Sequence, residues 1–144
     1  MKIIHITGVS GTGKTTFIHS LIPVLKTRGP VGVIKHIGHH DLILEEGKDT
    51  TRFFEAGARI SAGIDSEKMV IAIHETNLEE ILVMLCDAGM QFAIIEGFKA
   101  RPYPKIVIGC LDDAENVLMT DPAIDDVLAR LDECEEFTTA EGFA

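Results

Sequence analysis

Long apolar runs, paired cysteines and an excess of positive charge are all missing from this sequence of 144 residues. No apolar run approaches the roughly eighteen residues of a membrane-spanning helix, and the first residues form a strand-like segment rather than a cleavable signal. The three cysteines are far apart and form no C-x-x-C pair, which argues against a disulfide framework or a cysteine zinc site. We expect a cytoplasmic protein with one domain over residues 1–144.

Charge is distributed unevenly along the chain. Residues 1–110 hold 12 acidic and 12 basic side chains, whereas residues 111–144 hold 11 acidic side chains and a single arginine. Nucleic-acid binding depends on neutralisation of phosphates by lysine and arginine. We therefore predict no nucleic-acid partner and no membrane partner. The acidic tail from about residue 133 to residue 144 is expected to be frayed.

A glycine-rich stretch at residues 8–15 reads GVSGTGKT and matches the pattern G-x-x-x-x-G-K-[ST]. It follows a β-branched apolar run at residues 2–7 and precedes a helical pattern at residues 16–28. This order of strand, glycine-rich turn and helix is the setting of the phosphate-binding loop, or P-loop. The alternative is an ordinary glycine-rich connection with a helix-capping threonine.

The residue types in this stretch suit a bound polyphosphate. Glycines take up positive φ angles and let backbone N–H groups approach phosphate oxygens, and the start of the helix adds unpaired donors. Lys14 is expected to reach the β- and γ-phosphates, and the Thr15 hydroxyl to coordinate Mg²⁺. The residues predicted to bind the nucleotide here are Gly8, Ser10, Gly11, Thr12, Gly13, Lys14, Thr15 and Thr16.

The rest of the chain alternates strand-like and helical patterns. A second strand at residues 31–34 follows the first helix, and this order predicts a parallel pair with a right-handed crossover. We predict an α/β P-loop NTPase fold, with a mostly parallel twisted sheet flanked by helices. The remaining elements are predicted as a hairpin over 60–64 and 70–73, strands at 92–95, 106–110 and 117–119, and helices from residue 77 and over 123–131.

Polar residues at the ends of the predicted strands would lie on the same edge of the sheet as the phosphates. Lys35 and His36 follow the second strand, and both are predicted to contact the nucleotide. Glu96 ends the strand at residues 92–95, where a carboxylate holds the waters of Mg²⁺ or orients the attacking water. Glu96 is thus predicted to be catalytic and to bind metal together with Thr15, the alternative being a rim carboxylate without a ligand.

A histidine-rich segment, HIGHHD, occupies residues 36–41. His36, His39, His40 and Asp41 are all ligand types for a transition metal. The alternative, which we favour, is that they are loop residues bonded to phosphate or backbone.

Several segments together resemble one protein family. GVSGTGKTT, VGVIKHIGHHD, GKDTTRFFEAGA and IIEGFKARPYPKI occur in this order over residues 1–110 and are similar to the molybdopterin-guanine dinucleotide biosynthesis protein B family, MobB. The resemblance implies a GTP-binding protein, often dimeric, that assists a partner guanylyltransferase in attaching GMP to molybdopterin. It therefore implies GTP with Mg²⁺ as cofactors and a homodimer. The edge of the predicted hairpin is the expected dimer contact, and GTP hydrolysis is expected to be slow because no well-placed arginine finger is evident.

Two further positions bear on the nucleotide. Asp49, in the segment GKDT, is either a helix N-cap, as Thr50 also could be, or a contact to Mg²⁺ or the γ-phosphate, a role that the resemblance supports. No N-K-x-D tetrapeptide is present to recognise guanine, and the pair Thr120 and Asp121 is the best candidate for contacting the base. A nucleotide or small-metabolite kinase and a metal-insertion GTPase are the alternative functions.

Overall fold

The computed structural model describes residues 1–38 and 40–139. The chain groups into two compact units, one formed by Met1–His36 with Glu79–Ala144 and the other by Ile37–Leu78. We call them the sheet unit and the hairpin unit and describe each by itself. The expectation of a single domain over residues 1–144 stays a prediction.

The helices and strands follow the predicted order. In chain order they are β1 (Lys2–Thr7), α1 (Lys14–Lys26), β2 (Val31–Lys35), α2 (Asp49–Glu55), β3 (Ile60–Ile64), β4 (Met69–Ile73), α3 (Leu78–Asp87), β5 (Phe92–Glu96), β6 (Lys105–Val107), β7 (Val117–Thr120), α4 (Ile124–Ala129) and β8 (Glu135–Glu136), with a 3-10 helix over Leu131–Glu133. No helix within residues 1–38 and 40–139 is both long enough and apolar enough to cross a membrane.

The sheet unit is built on a sheet with strand order β2-β5-β1-β6-β7. All four pairings along this order are parallel. The predicted α/β fold, a mostly parallel sheet flanked by helices, is confirmed. Because β1 lies in the middle, the loop that follows it opens at the centre of the carboxyl edge, where ligands bind in such sheets.

The core of this unit explains why α1 packs against the sheet. Ile18, Leu21 and Leu25 recur at helical spacing and are buried, as the periodicity of the helix predicts. Burying each such side chain contributes about 1.5–3 kcal/mol. They join a cluster of buried residues that includes Ile4, Ile6, Phe92, Ile94 and Ile106 of the strands and Ile108, which follows β6.

The acidic tail differs from the expectation of fraying over its described part. β8 pairs antiparallel with β1, with Lys2 opposite Glu136. The Lys2 ammonium lies 2.7 Å from a Glu136 carboxylate oxygen, and the Phe137 N–H donates to the Met1 carbonyl at 2.8 Å. The acidic side chain of β8 therefore pairs with the basic residue at the start of β1. Residues 140–144 lie outside the described part of the chain.

The hairpin unit contains β3 and β4 as an antiparallel pair, which confirms the predicted hairpin. α2 packs on it: the Ser61 hydroxyl donates to the Thr50 carbonyl at 2.6 Å. The predicted N-cap of this helix is wrong, because Asp49 is already helical and Lys48 takes the N-cap position without a side-chain cap bond. Gly57, with φ of 102°, follows the C-cap Ala56, where a left-handed glycine commonly ends a helix.

Candidate functional site

The glycine-rich loop between β1 and α1 is tied to the neighbouring strand β6 and its extension. The Ile108 N–H donates to the Thr7 carbonyl at 2.9 Å, and the Val9 N–H donates to the Cys110 carbonyl at 3.1 Å. Gly8 lies between these two bonds with φ of 144°, and a Cβ at this position would be 2.2 Å from the Ile108 carbonyl oxygen. Only glycine fits this close approach of two backbones.

Two side chains bond to the same backbone carbonyl of the loop. The Thr12 hydroxyl donates to the Val9 carbonyl at 3.0 Å, and the Lys14 ammonium donates to the same carbonyl at 2.6 Å. Gly13 takes a left-handed conformation, with φ of 92° and ψ of 12°, as the N-cap of α1. The unpaired N–H groups in the first turn of α1 thus begin directly after the loop, and helix N-termini of this kind bind anions.

A cavity of about 360 Å³ lies over this loop. Eight residues line it, and all eight were predicted as site residues: Ser10, Gly11, Gly13, Lys14, Thr15, Thr16, Lys35 and Glu96. The loop after β1, helix α1 and the two strands β2 and β5 supply them, so the fold gathers residues that are up to 86 positions apart, from Ser10 to Glu96. Of the remaining predicted residues, Gly8 and Thr12 shape the loop, whereas Asp49 belongs to the hairpin unit.

Strand register places the acidic group of this cavity. In the parallel ladder Glu96 is opposite both Ile6 of β1 and Lys35 of β2. Its carboxylate is mostly buried and lies 3.3 Å from the Lys35 ammonium. The Thr15 hydroxyl lies 3.5 and 3.4 Å from its two oxygens.

The donor set in the cavity suits phosphates with Mg²⁺. A hydroxyl and a carboxylate are hard oxygen ligands of the kind that Mg²⁺ prefers, and this ion keeps several of its waters. Lys14 and Lys35 line the same cavity and supply positive charge to it. Thr15 and Glu96 would therefore hold the ion or its waters, while the lysines and the loop N–H groups would face phosphate oxygens.

The turn after Glu96 has an unusual backbone. Gly97 and Phe98 both have positive φ, 92° and 49°. The Gly97 N–H donates to the Ile6 carbonyl at 3.0 Å, and the His36 N–H donates to the Glu96 carbonyl at 2.9 Å. The His36 ring stacks on the Phe98 ring with centroids 4.4 Å apart. His36 therefore packs on the turn and does not line the phosphate cavity.

His5 contributes to the same turn, and sequence reasoning missed it. Its imidazole is completely buried, and Nε2 lies 2.7 Å from the Gly97 carbonyl oxygen. Since a carbonyl only accepts hydrogen bonds, Nε2 carries the proton and donates. Burial lowers the pKa of His5 below its usual value, and the bond to Gly97 only partly opposes this shift. A histidine inside the otherwise apolar segment KIIHIT was the available signal.

The histidine segment gives no metal site in the described residues. His39 lies outside the described part of the chain. Among residues 1–38 and 40–139, no group of three or more His, Cys, Asp or Glu side chains could hold a metal ion. The alternative of a metal-insertion GTPase therefore gains no support from the residues that the structure describes.

Comparison with known proteins adds independent evidence. The family model described as molybdopterin guanine dinucleotide synthesis protein B matches residues 3–130. A Haemophilus influenzae protein named molybdopterin-guanine dinucleotide biosynthesis adapter protein is 36% identical over 112 residues, which are 75% of this chain and 63% of that protein. A Bacillus subtilis protein named a probable adapter of the same kind is 34% identical over 110 residues, 74% of this chain and 64% of that protein.

A solved structure shows the same fold. The crystal structure of Bacillus subtilis MobB aligns with a TM-score of 0.71 at 24% identity, covering 94% of this chain and 99% of that one. The chain spans about three fifths of the length of the curated relatives it matches. From the match over residues 3–130 and the identity to these relatives, the chain belongs to the MobB family.

Proposed function

We propose that this protein is a GTP-binding adapter in the synthesis of molybdopterin-guanine dinucleotide. It binds GTP with Mg²⁺ in the phosphate cavity and assists a guanylyltransferase that attaches GMP to molybdopterin. The observation that carries the proposal is the convergence of Lys14, Thr15, Lys35 and Glu96 in one cavity of a MobB-family chain.

The phosphate part of the proposal follows from charge and geometry. Lys14 is partly exposed and the Lys35 side chain is 51% exposed, and both line the cavity that the loop forms, an arrangement that would neutralise a polyphosphate without enclosing it. The Lys14 ammonium already donates to a loop carbonyl at 2.6 Å, so its side chain is folded over the loop. A bound β- or γ-phosphate would replace that carbonyl as its acceptor. Lys14 is thus the side chain whose loss should weaken phosphate binding most.

Hydrolysis should be slow at this site. Glu96 is the only acid among the residues that line the cavity, and its carboxylate is already engaged by Lys35 and Thr15. No arginine occurs among these lining residues. An arginine that stabilises the transition-state charge accelerates phosphoryl transfer by about 10³–10⁵. Occupancy by GTP rather than turnover is therefore the state that this protein would offer to a partner.

We also propose that the protein is a homodimer joined through the hairpin unit. In the β3 and β4 register, Ile60 is opposite Ile73, Ala62 opposite Ile71, and Ile64 opposite Met69. Opposed residues share one face of a hairpin, which here carries no polar side chain. We call these six residues the apolar face, and Ile60, Ile64, Met69 and Ile71 are 55, 76, 54 and 43% exposed on it.

A second copy of the chain suits this face better than a charged partner would. Contiguous exposed apolar surface marks association sites. An isologous contact would pack the apolar face against the same face of the second copy and leave no charge unpaired. The sequence predicted the contact at the edge of the hairpin. We propose the apolar face instead, because four of its six side chains are at least 43% exposed.

The test of the nucleotide proposal is calorimetric titration with GTP and Mg²⁺. Wild type should bind GTP, and Lys14→Ala should weaken binding at least tenfold. Lys26→Ala is the matched control, because Lys26 lies in the last turn of the same helix and away from the cavity. Equal affinity of wild type and Lys14→Ala would refute the site, and a clear preference for ATP would favour the kinase alternative. If GTP binds, the protein should be added to a reaction of a guanylyltransferase with GTP and molybdopterin. The dinucleotide should then form faster than in the same reaction without the protein.

A further inference from the structure

A second cavity of the sheet unit adjoins the phosphate cavity at the start of α1. It has a volume of about 510 Å³ and shares Gly13 and Thr16 with the phosphate cavity. Phe17 and Ser20 continue its wall along α1. The opposite wall is formed by Ile108 and by the turn between β7 and α4, which contributes Asp121, Pro122, Ala123 and Ile124.

We propose that this second cavity is the nucleobase subsite and that Asp121 selects guanine in it. The inference rests on the proposed binding of a nucleoside triphosphate at the loop, and it adds which base is accepted and by which residue. Most of the lining is apolar, as a flat aromatic base requires, and Asp121 is the only charged residue in it. A cavity of this size is within the usual range for small-molecule sites.

The carboxylate of Asp121 is held in a fixed position. Its Oδ1 accepts from the Gly109 N–H at 2.7 Å, and its own N–H donates to the Val107 carbonyl at 2.8 Å. Its φ is 45°, in the left-handed region that costs a non-glycine residue energy. Gly109 is itself constrained, because a Cβ there would lie 2.5 Å from the Thr12 side chain. The P-loop, the end of β6 and Asp121 thus form one connected arrangement.

A carboxylate in this position discriminates among bases by what it can accept. It offers about four acceptor sites and no donor, and the Gly109 N–H uses one of them. Guanine presents two adjacent donors, N1–H and the 2-amino group, on one edge. Adenine and cytosine place an acceptor nitrogen beside their amino group, and uracil has one N–H between two carbonyls. Guanine is the standard base that gives a carboxylate two hydrogen bonds without a facing lone pair.

Substituting Asp121 by asparagine reverses this pattern while keeping the local structure. The amide oxygen of asparagine can still accept from the Gly109 N–H or from a base N1–H, whereas its NH₂ group can only donate. Xanthine differs from guanine in carrying a carbonyl where guanine has its 2-amino group. An amide therefore matches xanthine, and a carboxylate matches guanine. Hypoxanthine lacks any group at that position and should bind between the two.

The experiment is a titration of wild type, Asp121→Asn and Asp125→Asn with GTP, ATP, ITP, XTP and inorganic tripolyphosphate in Mg²⁺. Wild type should bind GTP at least tenfold more tightly than ATP, with ITP between them. Asp121→Asn should weaken GTP at least tenfold and tighten XTP at least tenfold. Asp125→Asn makes the same chemical change on α4, outside the cavity, and should match wild type.

The outcomes separate this inference from the proposed function. Equal affinity of wild type for GTP and ATP, with both lost in Lys14→Ala, would overturn the base subsite and leave the phosphate site standing. Failure of wild type to bind any triphosphate would overturn both. Loss of GTP binding in Asp121→Asn without a gain for XTP would also overturn the subsite, because it would reduce Asp121 to support of the loop through Gly109. A gain for XTP cannot arise from misfolding.

Discussion

Gly8→Ala is the substitution that tests the geometry of the loop most directly. The new methyl group would lie 2.2 Å from the Ile108 carbonyl oxygen, at a φ of 144° that side chains rarely adopt. Backbone strain of this kind costs about 1–3 kcal/mol. Overpacking against a rigid neighbour costs about 1–3 kcal/mol more. We therefore expect a loss of about 4 kcal/mol in the free energy of unfolding.

Gly89→Ala is the matched control. Gly89 also has a positive φ, 80°, but a Cβ there would meet no atom within 4 Å. Its cost should be the strain alone, about 1–2 kcal/mol. For a chain of this size, about 1 kcal/mol corresponds to roughly 4 °C in melting temperature. Gly8→Ala should therefore melt roughly 10 °C below Gly89→Ala.

Thermal unfolding followed by circular dichroism measures this difference, and titration with GTP shows whether the loop still binds phosphate. Relief of the clash requires the loop to move away from Ile108, which would break the bond between Val9 and Cys110. GTP binding should weaken in Gly8→Ala and stay unchanged in Gly89→Ala. Melting temperatures within 2 °C of each other, or unchanged GTP affinity in Gly8→Ala, would refute the packing described for the loop.

Three further results are expected. Glu96→Gln should raise the Mg²⁺ concentration for half-maximal GTP binding about tenfold, whereas Glu80→Gln should leave it unchanged; equal curves would remove Glu96 from the metal site. Burial lowers the pKa of His5 in the folded protein below 6.5, the ordinary value for histidine. Below pH 6.5 the unfolded chain therefore binds more protons than the folded chain. Stability should then fall by about 1.4 kcal/mol per pH unit as the pH drops from that value towards the lowered pKa, a slope that chemical denaturation should find missing in His5→Gln. Ile71→Lys, on the apolar face, should convert dimer to monomer in light scattering, whereas Val70→Lys on the opposite face should not; a monomeric wild type would reject the dimer.

Local patterns predicted the elements that carry the phosphate cavity. The change from β-branched residues to glycines to a helical period is encoded within about 25 consecutive residues, and parallel strands bring their carboxyl ends to one edge by rule. That is why Lys14, Thr15, Lys35 and Glu96 could be assigned to one site before the structure was known. The boundary of α1 was off by two residues, because Gly13 takes the N-cap position and the helix starts at Lys14.

Features that depend on distant partners could not be read from the sequence. His5 bonds a carbonyl 92 residues away, and no local period indicates such a contact. The stacking of His36 on Phe98 was not foreseen either, because the positive φ of Phe98 has no sequence signature, and the contact of His36 to the nucleotide stays a prediction. β8 escaped prediction because two acidic residues form a strand only when a basic strand start lies opposite them.

The distribution of fixed polar groups and exposed apolar surface over the two units agrees with the proposed adapter role. The backbone of Glu96 is held by ladders to β1 and β2, and His5 bonds to the turn that follows it, so this part of the proposed phosphate site is already in place without a ligand. Most of the large exposed apolar side chains instead belong to the hairpin unit. Their exposed surface adds little to the stability of that unit. Such surface is costly for a protein that acts alone. The proposed role combines a preformed nucleotide site of slow turnover with association through a separate unit, and this combination serves to present GTP rather than to consume it.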